Sequence, residues 1–176
     1  MPELKEIVIN TSPLIAIVAA LSDLEILRSL YKNVFVTHEV SQEILTGGCE
    51  GFAVEAFEKA AWLNKLSNPL EISPYLKNSL DHGEASVIQL ALNKKIQTVC
   101  IDETMGRRIA KLSGLTVTGS IGVLLRAKKE GLVERESCPL CVATGRRKPE
   151  GMIEQMGYSR RKPEMEELTL QLQSMR

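Results

Sequence analysis

Short runs of apolar residues alternate with longer stretches of helical spacing through the first 133 residues. The runs lie at 7–9, 34–37, 70–72, 98–101 and 115–118. Most are rich in Val, Ile and Thr, which is typical of strands buried on both faces of a sheet. Because parallel strands need helical crossovers, the alternation predicts an α/β fold with a parallel sheet covered by helices on both faces.

The composition changes after about residue 133, which predicts two parts. Residues 1–133 form the predicted α/β domain, and residues 134–176 form a C-terminal appendage. The appendage has few apolar residues, contains Cys138-Pro139-Leu140-Cys141, and repeats the pentad RRKPE at 146–150 and 160–164. Apolar residues at helical spacing between 165 and 175 predict a short final helix. A chain of 176 residues is too short for two full domains.

The overall charge and the missing signals exclude several classes of protein. The formal net charge is zero, which argues against a broad basic surface for nucleic acid but not against a metal nuclease. The longest apolar stretch, 13–21, is too short for a membrane helix, and we expect a cytoplasmic protein without membrane contact. Nucleotide-binding glycine motifs and a G-x-S-x-G motif are missing, which disfavours nucleotide binding and serine hydrolysis.

Four polar residues from distant segments are expected at one edge of the sheet. Asn10 and Asp102 follow predicted strands, Glu84 lies in the first turn of a helix that leads into a strand, and Glu43 lies on the helix after 34–37. Ligands bind beyond the carboxyl ends of parallel strands. Carboxylate and amide oxygens suit hard divalent cations, which activate water and polarise phosphates. The pattern therefore indicates a candidate metal site for phosphodiester hydrolysis.

Each of these residues also has a local explanation. Asp81 and Glu84 have the spacing of a capping box, and Asp102 could be the N-cap of the following helix. Asn10 could form an Asx-turn before a helix with Ser12 as N-cap and Pro13 as its first residue. The helical Glu43 could be a solvated charge. Their coincidence at one edge favours the shared site, although helix N-caps always occupy that edge.

Several segments together resemble the PIN-domain family over about residues 6–133. They are 8–15 (VINTSPLI), 40–44 (VSQEI), 81–85 (DHGEA), 100–103 (CIDE), 106–110 (GRRIA) and 116–128 (TVTGSIGVLLRAK). The last segment is similar to a VapC-like branch of uncharacterised PIN proteins in bacteria and archaea. The ordered set is far more specific than any single segment.

The resemblance implies a three-layer αβα sandwich with a mainly parallel central sheet. It also implies an endoribonuclease that depends on Mg²⁺ or Mn²⁺, forms a homodimer and acts as a toxin with a small antitoxin partner. Carried over by position, the catalytic and metal-binding residues are Asn10, Glu43, Glu84 and Asp102, with Glu103 as an auxiliary metal ligand. The residues expected to contact RNA are Ser12, Arg107 and Arg108.

One position departs from the family pattern, because many PIN nucleases have Asp where this chain has Asn10. An amide oxygen can bind a metal but carries no charge, so the charge of the site falls from about −4 to about −3. Two interpretations follow. The chain is a metal-dependent endoribonuclease, or it is a catalytically weakened PIN-like module that binds RNA or protein.

The appendage has features that the family pattern does not match. Cys138 and Cys141 supply half of a zinc site, which two chains of a dimer could complete, although a zinc site is the disfavoured interpretation because no second close pair of ligands follows. The basic pentads could contact phosphates, but a solvated linker punctuated by proline is favoured.

Overall fold

A computed structural model describes residues 5–47 and 52–133, and the appendage predicted at 134–176 lies outside the described residues. Five parallel strands form one sheet in the order β3-β2-β1-β4-β5. The strands are β1 (Ile7–Ile9), β2 (Val34–Val36), β3 (Asn64–Lys65), β4 (Thr98–Cys100) and β5 (Thr116–Thr118). The predicted α/β class with a parallel sheet is therefore confirmed.

Helices lie between these strands and after the last of them. They are α1 (Thr11–Leu21), α2 (Glu25–Leu30), α3 (His38–Gly47), α4 (Phe52–Lys59), α5 (Pro74–Ser79), α6 (His82–Lys94), α7 (Thr104–Leu112) and α8 (Ser120–Lys129). Helix α1 packs against α4 and α8, whereas α6 packs against β1, β4 and α7. Helices therefore flank the sheet, as the strand pattern predicts.

The strand order places a topological switch point between β1 and β4. The chain runs from β1 outward to β2 and β3, returns to the other side of β1 as β4, and continues to β5. Because parallel crossovers are right-handed, reversing their direction moves the connecting helices to the opposite face of the sheet. The crevice between the two halves opens at the carboxyl ends of β1 and β4, where ligands bind in open α/β sheets.

The core is centred on β1, whose residues are all buried. In the register of the ladder, Ile7 pairs with Val34 on one side and Thr98 on the other, and Ile9 pairs with Cys100. Large side chains that are less than 2% exposed form the centre of this core: Ile7, Ile9, Ile17, Leu27, Leu30, Ile44, Ile88 and Ile101.

Three local predictions were wrong. Residues 70–72 are not a strand, because the Leu70 N–H donates to Glu39 Oε1, 2.9 Å away, and the third strand is Asn64–Lys65. Helix α1 begins at Thr11, so Ser12 and Pro13 lie inside it and Asn10 is the N-cap residue. Helix α7 begins at Thr104 with Glu103 as its N-cap residue, so Asp102 is not the N-cap of that helix. Helix α5 was not predicted.

The sequence predicts that no apolar stretch is long enough for a membrane helix. Within residues 5–47 and 52–133, no helix is both long enough and apolar enough to cross a membrane.

Candidate metal centre at the switch point

Asn10 lies at the carboxyl end of β1, and its backbone N–H donates to the carbonyl of Cys100 on β4 at 3.0 Å. The side chain is only 4% exposed. It makes no capping hydrogen bond to α1, and its Oδ1 has no hydrogen-bond partner among the described residues. A buried amide oxygen without a partner is costly. Neither capping nor an Asx-turn therefore explains this residue.

Glu84 lies in the first turn of α6, and its backbone N–H donates to Asp81 Oδ1 at 2.8 Å. The side chain is 4% exposed, and Oε1 has no partner within the described part of the chain. Burial raises the pKa of this carboxyl from its ordinary 4.5 to about 7, and the charges of Asp81, Glu103 and Glu43 act in the same direction. Asp81 is thus a cap, but the unpartnered Oε1 leaves Glu84 free for a ligand.

Glu43 projects from α3 towards the same place. Its carboxylate is half-buried and accepts a hydrogen bond from the hydroxyl of Thr11, the first residue of α1. It also lies against Gly83 of α6, because a β-carbon built on Gly83 would be 2.5 Å from Glu43 Oε1. Glu43 is therefore held between two helices and is not a solvated surface charge.

A buried hydroxyl pair ties α3 to α6 near these two acids. The Ser86 hydroxyl donates to the carbonyl of Gly83 at 2.7 Å, so in its 2.7 Å contact with Thr37 it is the acceptor. The Thr37 oxygen in turn accepts from the Val40 N–H at 3.3 Å, which caps α3. Both hydroxyls are fully buried. The link fixes the helix that carries Glu43 against the helix that carries Glu84.

Asp102 follows β4 and is half-buried. Its Oδ1 accepts from the backbone N–H of Ser120 at 2.9 Å, so it caps α8 and not the helix that follows it in sequence. Nearby, Arg107 Nη1 donates to the carbonyls of Ile101 at 2.8 Å and Thr118 at 3.1 Å. Arg107 thus holds the ends of β4 and β5 together beside Asp102.

The predicted site residues fall into two neighbouring groups. Glu84 is close to Glu43 and Glu103, whose charges raise its pKa. Asp102 lies beside Arg107 and the start of α8. Asn10 is hydrogen-bonded to β4 through its backbone, between the strand ends that carry the site. Within the described residues, no three His, Cys, Asp or Glu side chains are close enough together to form a metal site.

The available donors nevertheless fit a magnesium-like ion. Mg²⁺ is usually held by one or two carboxylates, with water and substrate phosphates supplying the remaining ligands. Glu84 and Asn10 each present a buried oxygen that has no partner within residues 5–47 and 52–133. The burial and the neighbouring charges that raise the pKa of Glu84 are conditions that a cation relieves. The chemistry of the donor set therefore matches a hard divalent cation.

The remaining predicted contacts are placed as follows. Ser12 and Arg108 are exposed, whereas Arg107 is half-buried and occupied with backbone carbonyls. Glu103 is half-buried and is the N-cap residue of α7. The cysteines Cys138 and Cys141, with the basic pentads, lie outside the described residues.

Sequence reasoning overlooked Thr11, Gly83 and Gly106. Thr11 binds Glu43, and the two glycines lie against Glu43 and Glu84. The sequence did hold a signal for the glycines. Each lies in the first turn of a helix, where helical backbone geometry does not require glycine.

A comparison with known families decides what this arrangement belongs to. A family model described as a PIN domain matches residues 6–141. The chain belongs to the PIN-domain family. No curated protein matches the chain. The PIN domain is a nuclease-type fold, and its carboxyl rim here holds Asn10, Glu84 and Asp102. The VapC-like branch stays a prediction.

Proposed function

We propose that this PIN-domain chain is a metal-dependent endoribonuclease that hydrolyses RNA phosphodiester bonds, with Mg²⁺ or Mn²⁺ as its cofactor. The observation that carries the proposal is a pair of buried oxygens, Asn10 Oδ1 and Glu84 Oε1, for which the described part of the chain offers no hydrogen-bond partner. They belong to residues at the carboxyl edge of the sheet, beside the switch point between β1 and β4. A nuclease-type fold with unpartnered oxygens at this place supports phosphoryl chemistry.

The residues that would hold the cation are Glu84, Asn10 and Glu43, with Asp102 at the adjacent strand end and Glu103 beside them. A bound divalent cation lowers the pKa of its water and polarises the phosphate. The chain itself supplies orientation. Thr11 holds the carboxylate of Glu43 by a hydrogen bond. Burial of Glu84 at 4% exposure limits competition by bulk water and strengthens its interaction with charge.

The test is RNA cleavage in Mn²⁺ by the full chain and by Glu84→Gln. We expect the isosteric amide to lower cleavage by roughly 10²-fold or more, because one charged ligand is lost from a site that depends on charge. Glu55→Gln is the matched control, since Glu55 lies on the exposed face of α4 in an ion pair with Lys59. Equal cleavage rates for Glu84→Gln and Glu55→Gln would refute the proposed role of Glu84 in holding the cation.

A second candidate function is supported by Asn10, which provides a neutral oxygen where a carboxylate would strengthen cation binding. In this case the chain binds RNA or a protein through a PIN fold and cleaves slowly or not at all. Asn10→Asp separates the two candidates. A large gain in Mn²⁺ affinity and cleavage favours the weakened module, and cleavage by the native chain equal to that of Asn10→Asp favours the nuclease.

The proposal extends to assembly and biological role. A homodimer, a toxin role of VapC type and a small antitoxin partner all follow from the family resemblance. Light scattering of the purified chain measures the dimer. Growth arrest on expression, relieved by co-expression of a short neighbouring reading frame, tests the toxin role; unimpaired growth would contradict it. Ser12 and Arg108, which are exposed, and Arg107, which is half-buried, are proposed to contact RNA.

A further inference from the structure

Two buried glycines lie directly against the acidic side chains of the candidate metal centre. Gly83 is the second residue of α6, and Gly106 is the third residue of α7. A β-carbon on Gly83 would lie 2.5 Å from Glu43 Oε1 and 2.8 Å from Oε2. A β-carbon on Gly106 would lie 2.8 Å from Glu84 Cδ and would contact Oε1 more closely still.

Backbone conformation does not explain these glycines. Among the described residues, the glycines with positive φ are Gly114 and Gly131. Gly83 and Gly106 lie in helices, where glycine is less favourable than alanine. The feature that both positions share is the space left by the missing β-carbon, and in both cases a carboxylate occupies it.

The carboxylates have little freedom to move away from an added methyl group. Non-bonded carbon atoms normally approach to roughly 3.5–4.0 Å, well beyond the 2.8 Å between the Gly106 position and Glu84 Cδ. Glu84 is 4% exposed, and Ile101 Cγ2 closes the other side of Gly106 at 2.9 Å. Glu43 has more room, because it is half-buried, but its hydrogen bond to Thr11 restrains it.

We infer that Gly83 and Gly106 are positioning residues, each of which provides the space that seats an acidic side chain of another helix. Gly83 of α6 seats Glu43 of α3, and Gly106 of α7 seats Glu84 of α6. The two contacts connect three helices in series, so the placement of one carboxylate depends on the packing of the next helix. The functional meaning of this arrangement rests on the proposed metal-dependent nuclease.

The first experiment measures the steric coupling without metal. Urea unfolding in EDTA compares the full chain with Gly106→Ala, alone and combined with Glu84→Gln or Glu84→Ala. We expect Gly106→Ala to lower the urea midpoint. Glu84→Ala should restore at least half of that loss, because it removes the atoms that clash. Glu84→Gln should restore much less, because it keeps their volume. Additive losses in both combinations would overturn the inference.

Gly83 provides the second pair and Gly122 the control. The loss of stability caused by Gly83→Ala should likewise be smaller in the Glu43→Ala background than in the Glu43→Gln background. If the Gly106 variants do not fold, this pair tests whether the glycines seat the acidic side chains. Gly122 is exposed on α8, and a β-carbon there would lie 2.7 Å from the hydroxyl of Thr118, which is not one of the acidic side chains of the candidate metal centre. Gly122→Ala should therefore show no coupling to Glu84→Ala.

The second experiment measures Mn²⁺ binding to the RNA-free protein from the electron paramagnetic resonance signal of the free ion. Gly83→Ala is expected to weaken binding at least 10-fold, whereas Gly122→Ala changes it less than 2-fold. If Gly83→Ala is folded and binds Mn²⁺ as tightly as the native chain, the positioning role is refuted. If the native chain binds no Mn²⁺, the proposed nuclease fails, and the unfolding data in EDTA still decide whether the glycines seat the acids.

Discussion

The burial of Glu84 should make the stability of this PIN domain depend on pH in a defined direction. The pKa of its carboxyl is about 7 in the folded chain and 4.5 by default. A raised pKa means that the folded state binds the proton more tightly than the unfolded state does. The contribution of the Glu84 carboxyl to the stability is therefore fully present below about pH 4.5. It is lost as the pH rises towards 7, and the loss levels off above pH 7.

The size of the effect follows from the two pKa values. A difference of one in pKa corresponds to about 1.4 kcal/mol, so the full effect is about 3 kcal/mol. Linkage between these values gives a loss of about 2.5 kcal/mol between pH 5 and pH 8. Glu84 as a whole residue is 4% exposed, so solvent screens this effect only in part. For a domain of ordinary stability, this loss is a large fraction of the free energy of unfolding.

The assay is urea unfolding in EDTA at pH 5, 6, 7 and 8 for the native chain and Glu84→Gln. The amide has nearly the same shape and cannot ionise, so other titrating groups cancel in the difference between the proteins. Between pH 5 and pH 8, we expect the free energy of unfolding of the variant, relative to that of the native chain, to rise by about 2.5 kcal/mol. Glu55→Gln is the control, because Glu55 is exposed. Parallel curves for the native chain and Glu84→Gln would refute the reasoning.

Three further substitutions test other contacts of the site. Asp102→Ala should abolish cleavage and also destabilise the fold by about 1 kcal/mol, because α8 loses its cap; circular dichroism and RNase assays separate the two effects. Arg107→Gln should lower the free energy of unfolding by about 1–3 kcal/mol, because two backbone carbonyls lose a charged donor. Arg108→Gln should leave the urea midpoint unchanged and weaken RNA binding. Equal urea midpoints for the two variants would contradict this expectation. Thr11→Val should weaken Mn²⁺ binding severalfold relative to Thr11→Ser, because only Ser keeps the hydroxyl that holds Glu43. The electron paramagnetic resonance signal of free Mn²⁺ measures the binding.

The sequence was sufficient for the class of fold and for the rim. Runs such as 7–9 and 98–101 are apolar because strands in this sheet are buried on both faces. Once they are strands of a parallel sheet, Asn10 and Asp102 must lie at their carboxyl ends. The third strand was missed, because Asn64–Lys65 is two residues long and carries no apolar pattern. Its place is set by pairing with β2, which no local pattern encodes.

The role of each rim residue depended on contacts between distant segments. Asp102 looked like the cap of the next helix, yet its oxygen accepts from Ser120, 18 residues away in sequence. Arg107 was expected to contact RNA, and the sequence did not show that its guanidinium also donates to the backbone at the ends of two strands. Propensity and spacing describe neighbours along the chain, so they cannot show which distant backbone group satisfies a side chain.

The amide at position 10 has two opposing consequences. Glu84 is already a buried carboxyl whose pKa is raised by burial and by neighbouring charges. A second charged carboxylate at the 4% exposed position of Asn10, without a hydrogen-bond partner for its oxygen, would add a further desolvation cost in the absence of metal. A neutral amide avoids that cost but gives up a charge that would attract a cation. Asn10 is therefore expected to favour folding without metal at the expense of metal affinity, and under the proposed nuclease function the concentration of available cation would determine which effect governs activity.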